Sequence, residues 1–254
     1  MINVNSSGIG PDVAANNGGA TLSVLNWNAS GDSQFRLTIP GVGLDATFTS
    51  SSLLKGPSTV AGGTFRLTAS NANYAALGLW EVDTTSATAG GATENKIHLG
   101  AFTTGFETPV SALPTSGVAT YAGAQSVAGL VTSNSSSGVS RASLIGDASF
   151  SANFGTGAIT GSFTNMIVTA SPGFVAPTPW NSVSVTSSLI AGTSRFSGST
   201  AAASAPNAPY VIGGSATGRI DGGFYGPNAN ELGAVWSLSD GQNVVVGTAQ
   251  GGHQ

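Results

Sequence analysis

The sequence has no cysteine among its 254 residues, which excludes disulfides, thiolate metal sites and a cysteine nucleophile. Charged residues are also scarce, at 7% of the chain, against about a quarter in typical soluble domains. The seven Lys and Arg residues are scattered and the net charge is −4, so we expect no nucleic acid partner. Hydroxyl and amide groups must keep the chain in solution, as in secreted or surface β-proteins.

Long hydrophobic runs are missing as well. No stretch approaches the roughly 18 consecutive apolar residues of a membrane-spanning helix. The first residues, MINVN, contain neither the basic segment nor the apolar segment of an export signal. The sequence therefore leaves two alternatives open, a lipid-anchored surface protein and a released one.

Histidine is limited to His98 and His253. Metal sites built from several histidines are excluded, and a Ser-His-Asp site would have to use His98. No G-x-S-x-G segment precedes a predicted helix, and neither a phosphate-binding loop nor a dinucleotide-binding glycine motif is present. We therefore expect a protein that is not an enzyme.

What the chain does contain is strict alternation of apolar and polar residues, which is typical of half-buried β-strands. In the first half, the segments 35–39, 44–48, 65–69, 77–82 and 96–102 show it. The segment Pro109–Gly117, PVSALPTSG, then interrupts the pattern with two prolines and a glycine. We place a domain boundary there. Residues 1–112 are predicted to form a small β-rich domain with a flexible N-terminal arm, and residues 113–254 a second domain.

The second domain carries the clearest alternation. Between Leu144 and Phe154, every second residue is apolar or glycine, and most of the others are polar. Counting similar segments gives about eight to nine strands, enough to close a barrel. Glycine alternating with phenylalanine on the buried face suits the tapered interior of a small barrel. The predicted fold is all-β, with an antiparallel eight-stranded barrel after the first domain.

One segment of this domain, Gly218–Leu238, reads GRIDGGFYGPNANELGAVWSL. Two alternating runs flank a turn rich in Gly, Pro and Asn, so we predict a β-hairpin. Asp221 and Glu231 are the nearest approach to a carboxylate pair in the chain. We interpret them as structural residues, one at a strand end and one bonding backbone amides near the turn.

The same hairpin resembles the near-terminal signature of the transferrin-binding protein B family, Phe-Tyr-Gly-Pro-Asn-Ala-x-Glu-Leu-Gly, here at residues 224–233. A second segment, Leu113–Gly123, resembles the Leu-Pro-x-x-Gly passage that leads into the first barrel strand of that family. The resemblance implies one lobe of that architecture, a small β-rich handle domain followed by an eight-stranded barrel.

His98 is the residue for which the sequence supports the most specific chemical hypothesis. Strand alternation places Ile97, Leu99 and Ala101 inward, and His98 outward together with Lys96, Gly100 and Phe102. His98 is then either an exposed strand residue or a metal ligand to haem iron, with Phe102 covering the macrocycle and Lys96 near a propionate. Tyrosine can also bind haem iron, so the weaker substitutes are Tyr74, Tyr121, Tyr210 and Tyr225.

Single-lobe relatives of this architecture include secreted haem-binding proteins of the hemophilin type, which pass haem to an outer-membrane TonB-dependent receptor. The resemblance therefore implies a monomeric haemophore at the surface or in the medium of a Gram-negative bacterium. The alternative is a surface protein that binds a partner, such as a host haem- or iron-carrying protein, through handle and barrel-rim loops. For that role the candidates are Phe174, Trp180 and the loop 84–93, although the two aromatic residues could instead be packing lids. A third hypothesis is a self-associating surface protein.

Overall fold

The computed structural model describes residues 2–5, 21–26, 34–40, 43–49, 58–60, 63–87, 93–135, 138–170, 177–204, 206 and 210–254. The elements in these ranges are β-strands, with a short 3₁₀ turn at Val110–Ala112. Within the same ranges, no helix has the length and hydrophobicity needed to span a membrane. The predicted all-β fold is confirmed.

The first domain, which we call the handle, consists of two antiparallel sheets. Its described residues form eight strands, β1 (Ile2–Asn5), β2 (Thr21–Asn26), β3 (Gln34–Ile39), β4 (Leu44–Thr49), β5 (Ser58–Val60), β6 (Gly63–Asn71), β7 (Ala75–Ala87) and β8 (Thr93–Gly105). The larger sheet has the order β1-β8-β7-β6-β5, and β2, β3 and β4 form a separate three-stranded sheet. All five strands predicted in this half of the chain are present.

The start of the chain differs from the prediction of a flexible arm. Ile2–Asn5 forms β1, which pairs with β8 from Lys96 to Leu99 in antiparallel register. The prediction was wrong for these residues because four residues are too few for a recognisable alternation, whereas an existing strand edge supplies backbone partners for them. Residues 6–20, the rest of the predicted arm, lie outside the described residues.

The second domain is the predicted barrel. In the part of this domain that the structure describes, there are nine strands: β9 (Val118–Ser135), β10 (Gly138–Asn153), β11 (Ala158–Ala170), β12 (Thr178–Pro179), β13 (Val183–Leu189), β14 (Arg195–Ala202), β15 (Thr217–Tyr225), β16 (Glu231–Ser239) and β17 (Asn243–His253). The order β10-β9-β17-β16-β15-β14-β13-β11 closes through a β10–β11 pairing, and the two-residue β12 adds to β11. The predicted boundary at residues 112 and 113 falls in the connection between β8 and β9.

The barrel interior is filled by side chains. The inward residues of β10 run from Leu144 to Ala152 as predicted, and aromatic rings pack across the axis, with the ring centroids of Phe163 and Trp236 5.1 Å apart. Large rings lie over glycines of neighbouring strands, since a Cβ on Gly247 would overlap the indole of Trp236. This close packing makes the barrel a rigid support rather than a ligand-holding cup.

The larger handle sheet packs on the outer wall of the barrel. Ile97 and Leu99 of β8 form a buried cluster with Val244 and Val246, which point outward from β17. Beside this cluster, the Arg141 guanidinium of β10 bonds two carboxylates of β7, with 2.8 Å between Arg141 Nη1 and Asp83 Oδ1 and a further bond to Glu81. Burial acts to lower the pKa of Arg141, but the two carboxylates together outweigh it, so the pKa is raised. The handle and the barrel therefore share an apolar and an ionic interface.

Candidate binding surface

His98 lies in β8 with its side chain 8% exposed, so the reading of an exposed strand histidine is wrong. The prediction that His98 and Gly100 share one face of β8 is correct. In the β7–β8 register His98 is opposite Val82, and Gly100 is opposite Trp80. This face is covered because Trp80 and Val82 pack against residues of the three-stranded sheet, including Leu37. Alternation identifies which residues share a face, but it cannot show that a second sheet covers that face.

The predicted neighbours of His98 are only partly brought together. Phe102 shares its face and lies over Gly78, but the indole of Trp80 lies over Gly100, between the positions of His98 and Phe102. The imidazole Nε2 of His98 is 3.2 Å from Thr84 Oγ1. Lys96 belongs to the same strand, and its side chain lies outside the described residues. His98 is thus surrounded by packed groups of the handle.

Tyr74, one of the four substitute ligands, lies elsewhere. It precedes β7 by one residue and packs with Ala75, Leu77 and Tyr225 where the handle meets the barrel. Eight residues separate it from Val82, the partner of His98, which corresponds to about 26 Å along a strand. Tyr74 and His98 therefore cannot act on one ligand.

The residues around His98 do not fit haem in this arrangement. A macrocycle beside the imidazole would have to replace the packed side chains of Trp80 and Val82, or displace the three-stranded sheet that covers them. In the described ranges, no group of three or more His, Asp or Glu side chains is arranged to hold a metal ion. Haem ligation by His98 stays a prediction, and the packing of Trp80 and Val82 on its face argues against it.

The signature hairpin, β15 and β16 with their turn, has a definite role at the domain junction. The Glu231 carboxylate is buried and accepts hydrogen bonds from the backbone N–H groups of Asn73, Tyr74 and Ala75, at 2.8, 2.9 and 3.1 Å. Tyr225 of the same hairpin has its hydroxyl 3.0 Å from Thr103 Oγ1 of β8. Burial raises the pKa of Tyr225. The structural interpretation of Glu231 is correct, but the amides that it binds belong to the handle.

Asp221, the other carboxylate of the hairpin, is bound differently. It pairs with Arg219 two residues away, with 2.8 Å between Arg219 Nη2 and Asp221 Oδ1, on the outer wall of the barrel. Glu231 and Asp221 therefore do not form a carboxylate pair. This arrangement supports the structural reading of both residues.

The connection between β8 and β9, residues 106–117, crosses one rim of the barrel, which we call the linker rim. Thr108 N–H donates to the Phe224 carbonyl at the end of β15, and Phe154 N–H donates to the Gly117 carbonyl at the start of β9. An ion pair holds the connection just before the first of these points, with 3.0 Å from Arg195 Nε to Glu107 Oε1. Glu107 raises the pKa of Arg195. The connection is thus fixed across the rim at three places.

Large exposed hydrophobic side chains are concentrated at this rim. Only five are found among the residues whose side-chain exposure the structure describes, and four lie here: Phe106, Val110, Val118 and Ile190, exposed by 53%, 52%, 64% and 45%. We call these four residues the apolar rim patch. The sequence pattern does not reveal them because each stands in a different local context, and the only signal is their position around Pro109–Gly117 and the turn after β13.

At the opposite rim, packed side chains close the end of the barrel. Trp180 is 3% exposed, packs with Trp236 at a centroid distance of 6.4 Å, and its Nε1–H donates to the Tyr210 carbonyl at 2.7 Å. The neighbouring Asn181 is fully buried and bonds both the amide and the carbonyl of Ile212. Trp180 is therefore a packing residue that covers the barrel, as one interpretation predicted, and the alternative of an exposed contact residue is wrong. The predicted contact loop 84–93 is wrong at its ends, because residues 84–87 and Thr93 belong to the paired strands β7 and β8. Phe174 and residues 88–92 of that loop lie outside the described residues.

Comparison with known proteins adds to this geometry. Intact Ap-TbpB with its N and C lobes shares the fold, at 19% identity and a TM-score of 0.53, over 86% of this chain and 41% of that one. Two variants of the vaccine antigen transferrin binding protein B from Haemophilus parasuis Hp5 match at 17% identity and TM-scores of 0.53. The matches with them cover 100% and 92% of this chain and 44% of theirs. The chain thus spans about two fifths of the length of these structures.

No curated protein sequence matches the chain. The family model described as the C-lobe and N-lobe β-barrels of Tf-binding protein B matches residues 113–253. This match covers the whole barrel, from the connection before β9 to the last residue of β17. The chain therefore belongs to the family of transferrin-binding protein B lobe barrels.

Proposed function

We propose that the protein is a surface-exposed capture protein that binds a host iron-carrying protein of the transferrin type through the linker rim. The observation that carries this proposal is the apolar rim patch, with four of the five large exposed hydrophobic side chains of the described residues. Large apolar side chains held in water favour burial against a partner. The family to which the barrel belongs supports the choice of partner.

The electrostatics of the rim suit a protein partner. The charges beside the patch, Arg195 and Glu107, are already paired with each other, so the rim presents no net charge of one sign. Protein interfaces typically combine an apolar centre, depleted of charge, with a polar surround. Phe106 is the natural anchor, because aromatic residues dominate interface energetics. The linker rim combines an apolar patch with paired charges, and the ion pair and the backbone hydrogen bonds hold it in a fixed position.

The test is binding of immobilised protein to purified serum transferrin, in iron-loaded and iron-free forms, measured by surface plasmon resonance. Replacing Phe106 and Val110 together by serine is expected to weaken binding at least about tenfold, because two exposed anchors are lost. Leu25→Ser is the matched control, since Leu25 is 52% exposed but lies in the three-stranded sheet. Wild-type protein that binds neither form would overturn the transferrin assignment, and equal binding by the double variant would overturn the role of the rim.

The same proposal places the protein at the outer surface of a Gram-negative cell, where a host protein can reach it. An outer-membrane TonB-dependent receptor that accepts the captured cargo stays a prediction. Surface location is tested by adding protease to intact cells: rapid loss of the protein is expected, whereas full protection until the outer membrane is permeabilised would contradict it. No catalytic step is part of the proposal.

A further inference from the structure

The backbone of Phe106 joins the two domains at the linker rim. Its N–H donates to the Tyr74 carbonyl of the handle at 2.9 Å, and its carbonyl accepts a bond from the Gly226 N–H of the barrel at 2.8 Å. The side chain of Phe106 is exposed in the apolar rim patch. The direction in which Phe106 presents this side chain therefore depends on where Tyr74 and Gly226 are held.

Tyr74 is held in turn by the buried carboxylate of Glu231. The N–H groups of Asn73, Tyr74 and Ala75 all donate to this one carboxylate. They lie in the turn between β6 and β7, which a bond from Ala72 N–H to the Ala75 carbonyl closes at 2.8 Å. Successive amides of a turn form a concave site for an anion, and here the barrel supplies the anion as a side chain.

These bonds close on themselves. Glu231 accepts a bond from Tyr74, and Tyr74 accepts one from Phe106. Phe106 accepts a bond from Gly226, which lies in the turn between β15 and β16 that ends at Glu231. The phenol ring of Tyr74 also covers Gly226, where a Cβ would come within 2.7 Å of Tyr74 Cδ2. We call these four residues the junction network, and displacement of any member moves Phe106 relative to the barrel.

The residue before Phe106 leaves no space on the other side of Tyr74. Gly105 has a φ of 150°, which favours glycine. A Cβ on Gly105 would lie 2.1 Å from the carbonyl oxygen of Tyr74, the same oxygen that accepts the Phe106 N–H. The end of β8 therefore fits against Tyr74 only while both keep this arrangement.

We propose that Glu231 is the positioning residue of the apolar rim patch, because its carboxylate holds Tyr74 and thereby presents Phe106 to the captured protein in one orientation. Glu231 is buried and acts through Tyr74 rather than by contact with the partner. The inference rests on the proposed function, in which Phe106 is the anchor. An anchor that is already oriented loses less conformational freedom on binding, which raises the affinity without a new contact.

Two measurements test this role, and one of them needs no partner. The chain has no cysteine, so Phe106→Cys creates a single attachment site for a nitroxide spin label. Electron paramagnetic resonance then reports the motion of the segment. Adding Glu231→Gln to the labelled protein should narrow the spectral lines through faster motion. In the protein with its native Phe106, Glu231→Gln should weaken transferrin binding at least about fivefold.

Gly247→Ala is the matched control, because it strains the barrel interior and leaves the junction network intact. It should change neither the label spectrum nor transferrin binding, which separates positioning from a general loss of stability. Gly105→Ala covers the case in which the Glu231→Gln protein does not fold, which circular dichroism would reveal. Its methyl group displaces the Tyr74 carbonyl directly, so the label should move faster and binding should weaken here too.

The two measurements distinguish this inference from the proposed function. Wild-type protein that does not bind transferrin contradicts the transferrin assignment, and the label spectrum alone then decides the role of Glu231. An unchanged spectrum in the folded Glu231→Gln or Gly105→Ala protein refutes the positioning role, whether or not transferrin binds. An equal change in the Gly247→Ala protein refutes it as well, because the motion would then follow stability. Full transferrin binding by the Glu231→Gln protein would be equally decisive against it.

Discussion

Glu231 and Tyr74 are 157 residues apart in the chain, and the carboxylate of the first accepts a 2.9 Å hydrogen bond from the backbone N–H of the second. The same carboxylate also accepts bonds from the two neighbouring amides, Asn73 and Ala75. A short segment of handle backbone is thereby bound by one barrel side chain. The family signature that contains Glu231 thus connects two domains, in addition to forming a hairpin.

Replacing Glu231 by glutamine should destabilise the protein by about 2 kcal/mol, because charge-assisted bonds are lost and an NH₂ group faces backbone donors. Urea unfolding followed by tryptophan fluorescence measures this change. Asp221→Asn is the control, since it affects only the exposed pair with Arg219 and should cost less than about 0.5 kcal/mol. Equal midpoints for wild type and the Glu231→Gln variant would show that the junction does not depend on this carboxylate.

Substitution of Gly247 tests the packing of the barrel interior. A Cβ at this position would overlap the Trp236 indole and approach the Ala128 carbonyl to 2.5 Å. Gly247→Ala should therefore cost about 1–3 kcal/mol through overpacking. In contrast, Gly252→Ala should have little effect, because nothing lies within 4 Å of its Cβ position. Thermal unfolding of the two variants compares them, and a Gly247→Ala protein as stable as Gly252→Ala would contradict the packing described here.

Because Tyr121 is buried, we expect the protein to lose stability at alkaline pH. Burial raises the pKa of Tyr121 to about 12, against about 10 in an unfolded chain. The unfolded chain therefore releases this proton first, so stability is complete below about pH 10 and falls as pH rises towards about 12. Tyr121→Phe should lose less stability over that window, measured as the unfolding temperature against pH.

The control for this measurement is Tyr210→Phe, which removes a hydroxyl from the opposite rim. Tyr225 retains its own raised pKa in both variants, so part of the alkaline loss should persist. If Tyr121→Phe followed the wild-type pH profile, the ionisation of Tyr121 would not contribute to it.

A haemin titration tests the prediction about His98. Because the side chains on its face pack against the three-stranded sheet, we expect no Soret shift that depends on His98. Absorbance spectra of wild type and His98→Ala with haemin measure this directly. A Soret band in the wild type that disappears in His98→Ala would establish haem ligation, and it would also require the three-stranded sheet to move.

Much of the fold could be predicted from local patterns. The alternation from Leu144 to Phe154 specifies a strand with one buried face, and the turn between Tyr225 and Glu231 specifies a hairpin. Both signals act over a few residues, because side-chain direction reverses at every step of a strand. Closure of the barrel followed from the number of such strands.

The candidate site could not be predicted in the same way. His98 is buried by contacts from a separate sheet, and the partners of Glu231 lie more than 150 residues away in sequence. The residues of the apolar rim patch come from the β8–β9 connection, the first position of β9 and the turn after β13. Their proximity to one rim depends on strand order and closure, which no periodicity records.

The position of β17 has a consequence for how the protein is made. The last barrel strand lies between β9, the first barrel strand, and β16, and its outward valines also pack against the handle. During synthesis from the N-terminus, neither barrel closure nor handle docking can be completed before residues 243–253 emerge. Such distant pairings make folding slow. The unfinished barrel therefore stays open until β17 has been made, and a truncation in β17 should abolish both events at once.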